Sequence, residues 1–400
     1  MRIQNRTFIK KKQKMLGIIE GDKKMFKRGL KKALALTLAL TFALTGCAQS
    51  GGTTEGKPSN EVVATQNNEK NVKAGFIFMG PVADGGWSQS HNEGRLAAEA
   101  ALGIETLYKE SVPETQEVEK VARDMIDQGC NVIFAASFGY MDYIEKLAKE
   151  FPEVTFFHCS GYKTAENMSN YFGKIEDARY LSGLVAGLQT KTNQIGYVAA
   201  MPLPEVVRGI NAFALGVKAV NPEATVKVSW TNAWYDPAKE KEAGSALIDG
   251  GCDVLAQHQN AAGAQQAAEE KGVWSIGYHA DMSAVAPNAN LTSAVWNWGP
   301  YYIEAIQSVM DGTYTAESYW EGIEAGVVDV SPLTANASEE AKEVVDAAKA
   351  QMLEGTLKAF QGPIVDQAGN ERVAEGSELS DEEQLSCDWF VDNVIGEINQ

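Results

Sequence analysis

Several places in this chain set an aromatic side chain beside a single polar one, a combination suited to holding a flat, uncharged ring. The stretch AVWNWGPYY (Ala294–Tyr302) carries Trp296, Trp298, Tyr301 and Tyr302, and so holds two of only eight tryptophans in 400 residues. Asp84 and Trp87 bracket Gly85 and Gly86, with Ser88 next; Phe138, Gly139 and Tyr140 follow one another. Glu205 lies in MPLPEVVRGIN, with Arg208 and Asn211 one or two helical turns on; Trp234 precedes YDPAKE; His258 sits in QHQN; Asp281 follows SIGYH. Stacking on an aromatic face is worth about 1–3 kcal/mol per ring. A few polar groups at the ring edge then decide which ring fits. Asp84, Glu205 and Asp281 can accept N–H donors, and Gly139 lets a ligand approach the backbone. Each residue also has a structural use. Asp84 and Asp281 can cap a helix or turn, Glu205 can complement a helix dipole, and Phe138 can fold into the core. Trp298, Tyr301 and Tyr302 are expected in the core.

Catalytic chemistry finds little support. The metalloprotease, nucleophile-elbow and phosphate-loop patterns H-E-x-x-H, G-x-S-x-G and G-x-x-x-x-G-K-[ST] do not occur. The four histidines, His91, His158, His258 and His279, are scattered. A nucleoside-cleaving hydrolase would need a carboxylate pair that nothing marks. Anionic ligands call for arginine clamps, yet the chain after residue 46 has only Arg95, Arg123, Arg179, Arg208 and Arg372, and only Arg95 and Arg208 follow motif loops. No C-x-x-C occurs, so no metal or redox motif and no cofactor is implied. Cys130, Cys159, Cys252 and Cys387 read as buried thiols.

The elements that must position these residues alternate. KAGFIFM (Lys73–Met79), NVIFAAS (Asn131–Ser137) and VTFFHCS (Val154–Ser160) read as buried parallel strands, with helices over 86–102 and 141–150 between them. The pattern repeats in QIGYVAA, TVKVSWT, DVLAQHQ and WSIGYHA, from Gln194 to Ala280. MIDQGCNVIFAAS (Met125–Ser137) matches LIDGGCDVLAQHQ (Leu247–Gln259): a helix stops at glycine, a cysteine follows, and a strand rises to a polar tip. Cys130 and Cys252 are therefore equivalent, in different lobes, and expected free. Two Rossmann-like lobes joined by crossovers describe an α/β, type I periplasmic-binding-protein fold, with the ligand in the cleft at the strands' carboxyl ends. The expected lobes are 72–192 with 282–312, and 193–281 with 313–400.

The amino terminus reads as an address. Residues 1–46 hold 12 basic and 2 acidic residues, which leaves 23 basic and 51 acidic to the rest, a net of −28. So acidic a body is a poor partner for nucleic acid or anionic lipid. KRGLKK precedes the apolar run ALALTLALTFAL (Ala33–Leu44), which is too short to span a bilayer and is followed by LTGC. That ending resembles a bacterial lipobox, which implies a signal peptide over 1–46, lipid on Cys47 and attachment to the extracytoplasmic face of the cell membrane. Residues 1–24 exceed what such a signal needs, placing the expected translation start at Met25. Residues 47–71 read as a flexible tether.

GPVADGGWSQSHNEG, SFGYMD, LVAGL, AWYDPAKE, SIGYHAD, GPIVDQAGN and DWFVDNVIG, in that order, resemble the basic membrane protein family of substrate-binding lipoproteins of ABC transporters over Val72 to Gly396. The resemblance implies capture of purine nucleosides or nucleobases by a monomer that delivers them to a membrane permease and, through it, an ATPase. It implies stacking at the Trp234 position and a ligand-binding Asp at 281. Ser88 stands where the family usually has Asn. Trp296 stands where nucleoside-binding relatives usually have Lys, and a Trp cannot replace an ammonium group. That departure favours a free, adenine-like base over a nucleoside. A sugar-binding protein of the same fold is the further alternative.

Overall fold

In the computed structural model, residues 71–398 are described, all within one compact unit; the expected signal segment, Cys47 and all but the last residue of the expected tether lie outside them. The first apolar runs form β1 (Lys73–Phe78), β2 (Glu105–Lys109), β3 (Val132–Ala136), β4 (Thr155–Cys159) and β5 (Met168–Gly173). Between them lie α1 (Trp87–Leu102), α2 (Glu117–Asp127) and α3 (Met141–Glu150). The chain continues through α4 (Glu176–Gln189), β6 (Gln194–Ala199), α5 (Pro204–Val220), β7 (Thr225–Trp230), α6 (Pro237–Asp249), β8 (Val254–His258), α7 (Gly263–Lys271), β9 (Trp274–His279) and β10 (Asn290–Trp296). It closes with α8 (Trp298–Met310), β11 (Ser318–Glu321), β12 (Val328–Val330), α9 (Glu339–Leu353), a hairpin of β13 (Ile364–Val365) and β14 (Glu371–Val373), α10 (Asp381–Leu385) and β15 (Val394–Ile395).

Two sheets result, in the orders β11-β5-β4-β3-β1-β2 and β12-β10-β9-β8-β6-β7-β15. β3 and β8, each buried along its whole length, lie inside them, as strands covered on both faces must. The duplication is visible in the backbone. Ser111 and Asn232, Gly129 and Gly251, and Ser160 and His279 occupy matching points after matching strands or helices, and all six have φ between 53° and 99°. The four cysteines named above are buried and free.

The crossings between lobes differ from those expected at 192/193, 281/282 and 312/313. Helix α4 packs on α5, β10 and α9 in the second lobe, so the chain leaves the first lobe directly after β5. It re-enters at Asn297, because β10 pairs with β9 while α8 packs on α1. It leaves again between β11, which pairs with β5, and β12, which pairs with β10. The crossings pack tightly: a Cβ on Gly173 would lie 2.7 Å from Trp296 Cζ3 and 2.9 Å from Val328 Cγ1. Helices α4 and α5 approach as closely, since a Cβ on Gly183 or Gly216 would lie 2.1 Å from the carbonyl oxygen of Phe213 or Tyr180.

Candidate functional site

The carboxyl ends of the two sheets face each other across a narrow cleft. Its walls are Trp87, Ser137, Phe138 and Ser160 from the first lobe and Glu205, Trp234, His258, Asn260 and His279 from the second. The free space is small, about 30 Å³, room for a water or two.

Each aromatic wall is held from behind. Trp87 Nε1 donates to the Ala136 carbonyl at 2.9 Å, leaving the ring to form the wall. Trp234 is fixed by its own carbonyl, which accepts from the Asn260 amide at 2.9 Å, tying the loop after β7 to the loop after β8. Phe138 begins a short helical turn after β3 and stays 38% exposed, so it serves the cleft and not the core.

The polar wall is built over a buried charge cluster. Glu205 opens α5 behind Pro204, and its side chain keeps 19% of its surface. Burial raises its pKa, while Arg208 and Arg179 pull the other way. Arg208 is bound to Glu176 in a buried ion pair. Arg179, fully buried, donates to the Gln257 carbonyl at 2.8 Å and lies 3.5 Å over the Tyr278 ring. Neither arginine lines this narrow cleft: Arg179 is buried behind it, with Nε and Nη2 unpartnered, and Arg208 is tied through Nε to Glu176. His258 Nε2 lies 3.5 Å from Glu205 and 3.3 Å from the Tyr278 hydroxyl, and its Nδ1 has no partner. Burial, then Arg179 and Arg208, hold His258 well below the ordinary histidine range, so it is neutral.

His279 ends β9 with φ 70°, a left-handed backbone that costs free energy and tends to mark functional sites. Its Nδ1 receives the Trp296 indole N–H at 2.8 Å, and its buried Nε2 has no partner. Burial, then His258, Arg179 and His91, keep it neutral.

The structure therefore brings Trp87, Phe138, Glu205, Trp234 and His258 together, and places the other expected residues elsewhere. Asp84 spends its carboxylate on the amides of Gly86, Ser88 and Gln89 at 2.8–3.1 Å, shaping the entry to α1. Ser88 Oγ accepts from the Gly80 amide. The Gly139 amide donates to Glu114, against which a Cβ would collide. Tyr140 is buried in the first lobe and donates to the Val112 carbonyl. Asn211 faces the carboxyl-terminal segment, donating to the Trp389 carbonyl and accepting from the Val391 amide. Asp281 is exposed and accepts from the Ser283 amide; the left-handed turn at His279 carries the chain out of the cleft before reaching it. Trp296 lies one layer behind the wall, stacked on Trp298 at 4.8 Å and edge-on to Trp87 at 5.9 Å. Trp298, Tyr301 and Tyr302 are buried, as expected of core.

Sequence reasoning missed Ser137, Ser160, Asn260 and His279. All four stand at or just past the carboxyl ends of β3, β4, β8 and β9, where open α/β sheets bind ligands. The matching of β4 with β9 would have paired Ser160 with His279.

The family model described as ABC transporter substrate-binding protein, PnrA-like (Bmp), matches residues 71–357. A purine-binding protein of Brucella abortus (strain 2308) is 40% identical over 334 residues, 83% of this chain and 95% of that protein. A Haloferax volcanii protein provisionally named as an ABC transporter glucose-binding protein is 39% identical over 354 residues, 87% of this chain and 88% of that one. Among solved structures, an ABC transporter solute-binding protein of Conexibacter woesei aligns with a TM-score of 0.59 at 24% identity, over 72% of this chain and 98% of that one. One from Aeropyrum pernix K1 aligns with a TM-score of 0.63 at 18% identity, over 73% and 94%. These two likenesses show the two-lobed fold. By the match over residues 71–357 and the 40% identity across most of both chains, the chain belongs to the Bmp family of PnrA-like ABC transporter substrate-binding proteins.

Proposed function

We propose that this protein captures a purine, with a free adenine-like base preferred over a nucleoside, and delivers it to a membrane permease driven by a cytoplasmic ATPase. Capture involves no bond making. The carrying observation is the convergence, from both lobes, of Trp87, Phe138 and Trp234 with Glu205, His258, Asn260 and His279 on one narrow cleft. A purine is flat and uncharged, with donors and acceptors around its rim. The aromatic walls stack on its faces, and Glu205 accepts the N–H of an exocyclic amine. So little free space requires the lobes to part for loading and to close afterwards about the three crossings. We further propose that lipid on Cys47 anchors the protein on the extracytoplasmic face of the membrane, with residues 47–71 as the tether.

Isothermal titration of the full chain with adenine, adenosine and glucose tests the reading. Adenine is expected to bind most tightly. Glucose is the comparison ligand because of the Haloferax relative's name, and glucose binding without purine binding would overturn the proposal. Glu205→Ala should weaken adenine at least about tenfold, the scale of a charged hydrogen bond. Adenine affinity in the native protein should fall as pH drops through the raised Glu205 pKa, because only the ionised carboxylate accepts at both oxygens. Cys47→Ser should move the protein from the membrane fraction to the soluble one.

A further inference from the structure

A second cavity opens from the same cleft. It shares Phe138, Ser160 and Glu205 with the first and runs outward between the lobes past Tyr162, Phe172, Leu203, Pro204, Tyr319, Trp320 and Leu385. It measures about 500 Å³, a size at which small-molecule pockets ordinarily work. Three of the eight large hydrophobic side chains exposed among the described residues stand on it: Phe138 at 38%, Tyr162 at 72% and Leu385 at 51%. Apolar surface gathered in this way marks a binding region more often than chance exposure does. Two of the polar groups along it are engaged, while the Trp320 indole N–H has no partner. Arg208 is bound to Glu176 and lies over the Trp320 ring, and Asn170 donates to Ser318 at 2.7 Å.

We propose that this cavity is a subsite for an apolar substituent on the exocyclic nitrogen of the bound base, so that the ligands include N6-alkyl and N6-arylalkyl adenines. The inference rests on the purine reading above and adds the class of purine. Glu205 stands at the junction of the two cavities. An N6-monosubstituted adenine keeps one N–H for that carboxylate, and its second N6 position then points past Glu205 into the apolar space. A ribose is a poor occupant, because its hydroxyls would lose water along walls that are chiefly aromatic and aliphatic.

Calorimetric titration of the full chain with adenine and with N6-benzyladenine tests this, using the native protein, Leu385→Asp and Tyr162→Ala. Both substitutions alter exposed side chains outside the purine cleft. N6-benzyladenine is expected to bind the native protein within about threefold of adenine or more tightly, and each variant to weaken it at least about fivefold while adenine stays within about twofold. Adenine binding with N6-benzyladenine about tenfold weaker or absent, or variants that alter both ligands equally, would overturn the subsite and leave the purine reading standing. Neither compound binding would remove the purine reading and the subsite together. A dimer that Leu385→Asp dissolves, with ligand binding unaltered, would assign the cavity to a second copy of the chain and overturn the proposal.

Discussion

The Trp296 indole N–H can only donate, so the His279 Nδ1 it meets at 2.8 Å must accept. A neutral imidazole that accepts at Nδ1 carries its proton on Nε2. His279, whose ring lines the cleft, therefore carries a fixed N–H on Nε2, and burial keeps it from becoming a cation. Trp296→Phe and His279→Ala should each lower adenine affinity about tenfold, and the double variant no further, because the two act as one unit. Additive losses in a double-mutant cycle would refute the coupling. Trp296 stood out in the sequence because the family resemblance implies a Lys there in nucleoside-binding relatives, yet its hydrogen bond goes to a histidine that sequence left among four scattered ones. Trp87, Glu205, Trp234 and His258 were legible because strand ends and helix starts place them. Asp281 was misplaced because a positive φ on a non-glycine residue leaves no trace in residue type.

The three crossings join the two lobes, and a titrating group sits among them. Asp177 on α4 accepts from the Ile323 amide at 3.2 Å, across the second exit from the first lobe. Burial raises its pKa to about 6, the Ile323 amide opposes this, and Glu176 and Glu324 add to it. A raised folded-state pKa contributes stability that is fully present below the unfolded value near 3.8 and is lost as pH rises through about 6. Asp177→Asn keeps an acceptor for Ile323 and removes that cost. It should be more stable than the native protein by about 2 kcal/mol at pH 8, allowing for partial exposure, with the gap gone near pH 4. Denaturant unfolding at the two pH values measures this, and a gap independent of pH would contradict it. At this scale the strands and the duplication were readable, since apolar runs of four to seven residues repeat with the same punctuation. The crossings were not, because only pairing across about 32 to 148 residues decides which sheet β12 and β11 join.

The two lobes meet where the loop entering α1 touches the loop after β8. A Cβ on Gly86 would lie 2.4 Å from the Asn260 carbonyl oxygen and 3.4 Å from His279 Cδ2. Gly86→Ala should therefore prop the lobes apart, lower adenine affinity at least about tenfold and abolish ligand-induced compaction in small-angle scattering. Unchanged affinity would show that closure does not depend on this contact. The indoles around the cleft have a last consequence. Trp87 and Trp234 form its walls, Trp296 stands behind Trp87, and Trp298 stacks on Trp296, so half of the chain's eight tryptophans lie within two layers of any bound ring. A purine stacked there perturbs the excited states of all four at once, and the cleft becomes its own optical reporter. Loading can be followed in real time by the dimming of native ultraviolet emission, without a dye attached to either lobe.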